Sequence, residues 1–309
     1  MSIAENRMGL RRIVRSPVRL FVGLGLTATV TLCAAVVGFG LLLSRPAADD
    51  IGAPPADLAA ESVAMVSASG ATLRGWFLAG RPGGGGVVLM HGVRANRLSM
   101  VQRARMLHES GFSVLLFDFQ AHGESSGKRI TFGHLEALDA AAAVAFAKAR
   151  LPNEKIGAIG TSLGGAAALL GPTPLPVDAL VLEAVYPDIG AATGNRIRSV
   201  LGSPIGSLVA PPLTYAFELL MPPILGVAPA ALRPIDHIAD VGAPLLIVSG
   251  TRDTRTTARE TVAMFDRARE PKLLWLVDGA GHVDLESYAP DAYRAHVLAF
   301  LADTLQQRR

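Results

Sequence analysis

The chain begins polar over residues 1–19 and turns almost wholly apolar over 18–43, with no charge after Arg19. About 24 residues rising 1.5 Å each are enough to cross a hydrocarbon core of about 30 Å. The apolar region of a cleaved signal peptide is shorter, about 7–15 residues, and ends at a small-x-small site. Here the run stops at Ser44-Arg45-Pro46. It reads as an uncleaved transmembrane anchor, with a cleaved signal peptide as the alternative. Residues 46–60, rich in Ala, Pro and Asp, read as a linker.

Beyond the linker, short apolar runs alternate with helical spacing. Residues 61–67 and 72–78 predict two strands joined at Ser69-Gly70. Further strands are predicted at 87–90, 112–117, 156–159, 179–183, 245–249 and 273–277. Helices are predicted at 98–110, 135–151, 257–269 and 292–306. This alternation predicts one α/β domain over 61–309, with a mostly parallel sheet covered by helices on both faces. The pattern breaks at 186–241, where Pro and Gly interrupt apolar helical pieces and Pro222-Pro223 is expected to break any helix. That stretch reads as a cap inserted between strands. Gly83 to Gly86 reads as a flexible connection, without the lysine and hydroxyl residue of a phosphate loop.

Charge sharpens this picture. The 309-residue chain carries a net charge of +3, but residues 1–45 hold six arginines against Glu5, a net +5, which leaves the rest at −2. A slightly acidic domain argues against a nucleic-acid groove. Five arginines precede the apolar run, against Arg45, Asp49 and Asp50 after it. That asymmetry places the N-terminus in the cytoplasm and the large domain outside the cytoplasmic membrane. Cys33 is the only cysteine, which excludes an intrachain disulfide and a cysteine-based metal site. No His-x-x-x-His pair with a carboxylate partner occurs, so neither a metal nor a cofactor is expected.

The candidate chemistry lies at strand ends. Residues 156–159 lead into Gly160-Thr161-Ser162-Leu163-Gly164, then Gly165 and alanines. Strand, tight turn and helix would hold the Ser162 hydroxyl exposed at the tip. A hydroxyl is a weak nucleophile, and it needs a histidine to take its proton and a carboxylate to orient that histidine. Asp253 follows the strand at 245–249, and His282 follows the strand at 273–277. Asp278 and Glu183 stand as alternative acids. His91 and His122 read as structural or loop-organising, and His108, His134, His237 and His296 as surface or packing residues. Gly123 to Lys128 has the wrong spacing for a phosphate loop.

The order Ser162, Asp253, His282, each just past a strand, resembles the α/β-hydrolase superfamily. The resemblance runs from about Glu61 to the C-terminus. It includes His91-Gly92, similar to the family's oxyanion loop, and His122-Gly123-Glu124-Ser125, with Gln120 and Ala121 where the family usually has Arg and Gly. The nearest likeness is to serine aminopeptidase-like and lysophospholipase-like members with a short cap. The resemblance implies a Ser162–His282–Asp253 triad and an oxyanion held by the backbone N–H groups of Leu163 and Val93, with a neighbour of Val93 as the alternative donor. It further implies hydrolysis of an acyl ester, small or lipid-like, with a peptidase or amidase second. A catalytically idle binding protein on the same fold is the rival from another class. Tyr215, Phe217, Leu219, Leu220, Met221, Ile224 and Leu225 make the cap apolar, either as packing or as a wall for an acyl chain.

Overall fold

The computed structural model describes residues 17–306. Residues 1–16, with Arg7, Arg11, Arg12 and Arg15, lie outside the described residues, as do residues 307–309 and the side chains of Arg19 and Cys33.

Eight strands form one sheet. They are β1 (Ala60–Val66), β2 (Thr72–Leu78), β3 (Gly86–Met90), β4 (Ser113–Phe117), β5 (Ile156–Thr161), β6 (Ala179–Glu183), β7 (Leu245–Gly250) and β8 (Lys272–Val277). Their order across the sheet is β8-β7-β6-β5-β3-β4-β2-β1. The pairs β1–β2 and β2–β4 are antiparallel and the other neighbours are parallel. Strands β3, β4 and β6 are buried along their whole length, which is why 87–90, 114–117 and 179–182 read as unbroken apolar runs.

Side-chain alternation splits these strands between two cores. Val88 and Met90 of β3, with Leu115 and Phe117 of β4, face one core. Val87 and Leu89, with Val114 and Leu116, face the other. The first core is closed by α3 (His134–Arg150) and α4 (Leu163–Leu169), whose alanines let the helices lie close to the sheet. The second is closed by α2 (Val101–Glu109) and by a C-terminal helix made of Pro290–Tyr293, a π-helical turn Arg294–Leu298 and Ala299–Leu305. The helix predicted at 98–110 starts as a 3₁₀ turn, Arg97–Met100, where the Asn96 side chain accepts from the Leu98 N–H at 3.0 Å.

Three expectations are corrected. The stretch read as a linker is laid against the domain. Ala47 and Ala48 pair with His122 and Gly123, Glu124 accepts from the N–H groups of Ile51 and Gly52, and Leu58 is buried. The loop at Gly83 to Gly86 is pinned, because the Glu154 carboxylate accepts from Gly83 N–H at 2.6 Å and Gly85 N–H at 3.0 Å. Pro222-Pro223 breaks no helix. The cap consists of α5 (Ile189–Leu201) and α6 (Ile205–Leu225), and α6 runs through Pro211, Pro212, Pro222 and Pro223. Each proline removes an N–H donor, but burial of Phe217, Met221 and Leu225 holds the helix in register until Gly226, at φ +70, ends it.

The N-terminal apolar run forms helix α1 (Pro17–Ser44). Its last turns pack on α6: Val36 is buried, and a Cβ built at Gly40 would lie 3.4 Å from the Phe217 ring. Nearer its start, Phe21, Val22, Leu24, Leu26 and Val30 are exposed. The end of α1 is tied to the domain by Ile130 N–H to Ser44 O at 2.8 Å and Arg94 Nη1 to Arg45 O at 3.2 Å.

Candidate active site

Ser162 sits where β5 turns into α4, at φ +50 and ψ −106. Non-glycine residues seldom adopt positive φ, and such strain persists only where the surroundings enforce it. Ser162 N–H donates to Glu183 O at 2.8 Å, and Ala166 N–H donates to Ser162 O at 2.9 Å. The turn also needs a bare backbone at Gly164, since a Cβ there would lie 2.3 Å from the Met90 carbonyl oxygen. The sharp turn is thus enforced by close approach of α4 to the ends of two strands.

The loop after β3 lies beside it. A Cβ at Gly92 would be 3.9 Å from Ser162 Cβ. Two buried histidines shape this loop. His91 Nε2 accepts from Phe119 N–H at 3.1 Å, which leaves Nδ1–H to donate to Gly92 O at 2.8 Å. His122 Nε2 accepts from Arg94 N–H at 3.1 Å, and its Nδ1–H donates to Gln120 O at 2.9 Å. Burial pushes the His91 pKa down to about 3, helped by the neighbouring His122, and burial lowers His122 as well. Both rings are neutral braces, as their sequence context suggested. Arg94, at φ +58, spends its N–H on His122, so of the loop's neighbours it is not free to serve as an oxyanion donor.

His282 and Asp253 meet. His282 Nδ1 lies 2.8 Å from Asp253 Oδ2, and Asp253 Oδ1 accepts from the N–H groups of Arg255 at 2.8 Å and Thr256 at 2.9 Å. The Asp253 side chain is fully buried and the His282 ring is about one-fifth exposed. Their loops are held together by Arg252 N–H to Ala280 O at 2.9 Å, and a Cβ on Gly250 would strike that same carbonyl at 2.1 Å. The two alternative acids are engaged elsewhere. Asp278 accepts from the Thr251 hydroxyl, and Glu183 binds Arg103, Tyr293 and Thr161.

Arg103 was invisible to the motif reading. It lies on the buried stripe of α2, between Met100 and Leu107, where a lone arginine among apolar positions is the signal that a buried ion pair awaits it. Its Nη2 donates to Glu183 Oε2 at 2.8 Å, its Nε to the Tyr293 hydroxyl at 3.1 Å, and its Nη1 to Asp284. Burial would discharge the guanidinium, but Glu183 with its other partners outweighs that and holds its pKa well above the usual value. Burial also opposes ionisation of Asp284, yet Arg103 holds its pKa below the usual carboxylate range. Through these bonds Arg103 joins the residue that accepts the Ser162 N–H to the loop two residues past His282.

Ser162, Leu163, Val93 and His282 line one cavity of about 370 Å³. Its other walls include Leu43 of α1, Phe132, Tyr186, and Ile189, Ala192 and Phe217 of the cap. The cap residues divide: Phe217 reaches the cavity, Met221 and Leu225 are core, and Tyr215 and Leu219 are 70% and 65% exposed. Three more arginines, Arg94, Arg196 and Arg255, line the same cavity, and no motif had marked them.

The fold has counterparts among known proteins. The protein Rv2307c of Mycobacterium tuberculosis is 27% identical over 248 residues, 80% of each chain. YqkD of Bacillus subtilis is 24% identical over 239 residues, 76% of this chain and 77% of its own. The crystal structure of the Pyrococcus furiosus esterase Pf2001 superposes with a TM-score of 0.67 at 25% identity, covering 85% of this chain and 98% of the esterase. Residues 87–296 match the Alpha/beta hydrolase family, and the chain belongs to that family.

Proposed function

We propose that the chain is a membrane-anchored serine hydrolase that cleaves acyl esters through an acyl-serine intermediate. The observation that carries this reading is His282, bonded to buried Asp253, in the same cavity as a strained, half-buried Ser162. Likeness to an esterase supports the reaction class. A carboxylate only accepts, so His282 Nδ1 carries the proton in the bond to Asp253 and Nε2 is left as the base. Nε2 takes the Ser162 proton as Oγ attacks the acyl carbonyl. The oxyanion is received by the N–H groups of Leu163 and Val93, and the imidazolium is stabilised by buried Asp253. The proton then passes to the leaving alcohol, and water reverses the sequence to free the acid. Loss of one oxyanion donor typically lowers the rate by about 10²–10³.

The anchor is α1, and the large domain lies outside the cytoplasmic membrane. Its exposed apolar residues, together with Ile205, Leu208 and Leu219 on α6, support contact with lipid. The apolar walls suit an acyl chain. The test is hydrolysis of 4-nitrophenyl esters of increasing chain length by the full chain in detergent. An initial burst followed by a slower steady rate, with medium or long chains preferred, is expected. A preference for acetyl esters overturns the lipid-like substrate, and the absence of any turnover overturns the hydrolase reading. The full chain should stay with membranes through alkaline carbonate extraction, and its release would overturn the anchor.

A further inference from the structure

The cavity that holds Ser162 is apolar in its walls and cationic at its exposed side. Arg94 comes from the loop after β3, Arg196 from the cap helix α5, and Arg255 from the loop that carries Asp253. Arg94 and Arg255 are exposed and Arg196 is half-buried. Asn195, next to Arg196, ties α5 to the loop of Arg255, since its Nδ2 donates to Arg255 O at 3.1 Å and to the Glu260 carboxylate at 2.8 Å. Burial, then the charges of Arg255 and Arg94, push the Arg196 pKa below its usual value.

Among the described residues none of these three guanidinium groups is in an ion pair. The nearby carboxylates are spent: Asp284 on Arg103, Asp253 on His282, and Glu260 on Asn195 and Thr257. Arg94 is partly occupied by carbonyl oxygens at the end of α1. Arg196 and Arg255 are left facing a cavity with like charge beside them. Gathering like charges costs free energy that an anion between them would return. Guanidinium groups bind phosphate and carboxylate through paired N–H donors.

We propose that the substrate is an ester whose alcohol carries a phosphate or carboxylate, and that Arg196 and Arg255 bind this anion while the acyl carbonyl lies at Ser162. The proposal rests on the serine-hydrolase reading and narrows it to an amphiphile, with its acyl chain against Phe132, Tyr186 and Phe217 and its charge toward solvent.

The experiment uses the full chain in neutral detergent and butyryl or lauroyl esters of glycerol, glycerol 3-phosphate and glycerate. The wild type should favour at least one charged ester over the glycerol ester of equal chain length by about 10–100-fold in kcat/KM, mainly through KM. In Arg196→Gln/Arg255→Gln the charged-to-neutral ratio should fall toward one, and the lysine pair should retain part of it. Thermal melting checks that the variants are folded. A preference already present with butyryl esters marks a soluble substrate, and one confined to lauroyl esters marks a lipid. The phosphate and glycerate arms name the anion. Equal kcat/KM for neutral and charged esters in the wild type, or an unchanged ratio in the double variant, overturns the proposal while leaving the hydrolase in place. If the wild type hydrolyses no ester and Ser162 does not react with a fluorophosphonate, the parent reading has failed instead.

Discussion

Arg103→Met removes the one cation that Glu183 and Asp284 share in the interior. Methionine fills a similar volume, so the main loss is charge pairing. Glu183 is 1% exposed and would keep only the hydroxyl groups of Tyr293 and Thr161 as side-chain donors. Breaking a buried pair by removing one partner costs about 3–5 kcal/mol. At about 2–4 °C per kcal/mol for a domain of this size, the melting temperature should drop by about 6–20 °C. Arg103→Met/Glu183→Gln removes the stranded charge and should recover at least half of the loss. Activity should fall in the single variant beyond the loss of folded protein, because both ends of the bridge touch the site: Glu183 O accepts the Ser162 N–H, and Asp284 follows His282 closely. Paired calorimetry and steady-state kinetics give both quantities. A melting shift below about 2 °C with unchanged kcat would refute the bridge.

Other outcomes follow from the same geometry. His91 has a folded pKa of about 3, against about 6.5 in an unfolded chain. As pH falls through that window the unfolded state takes up a proton that the folded state refuses, and stability falls by about 1.4 kcal/mol per pH unit. Asp139, pushed up to about 6 by burial, acts with the opposite sign between about pH 4 and 6, so the comparison is with His91→Gln. Denaturant melts of that variant should show a pH slope differing from wild type by about 1.4 kcal/mol per unit, and equal slopes would place the proton elsewhere. Gly164→Ala should unfold or inactivate the chain because its methyl group meets the Met90 backbone, and a fully active, equally stable alanine variant would contradict the enforced turn. Asp253→Asn should lower kcat by about 10⁴ with little change in melting temperature, whereas a loss under tenfold would move the acid role to another residue.

The inner part of the sheet was legible because strands such as β4 and β6 are buried along their length, so runs such as 114–117 and 179–182 are unbroken by polar residues. The candidate site was legible because each chemical residue follows a strand end. Polar burial was harder to read. Arg97, held by Asp118 and Glu124 under the Trp76 ring, and Arg103 look like surface residues until their partners arrive from far along the chain. The docking of residues 47–58 and the continuity of α6 through four prolines likewise depend on tertiary contacts that no local pattern encodes. Gln120 and Ala121, departures from the family's usual run, are accommodated by specific bonds. Gln120 Nε2 donates to Arg129 O and Glu136, and Ala121 takes φ +59 in the turn.

The most direct test of the central claim is reaction of the folded full chain with a fluorophosphonate, followed by mass spectrometry of the peptide that spans 155–171. The account predicts one adduct, on Ser162, formed at a rate that collapses in His282→Ala and absent in Ser162→Ala. Folded wild-type protein that remains unlabelled, or an adduct on another serine, would contradict it.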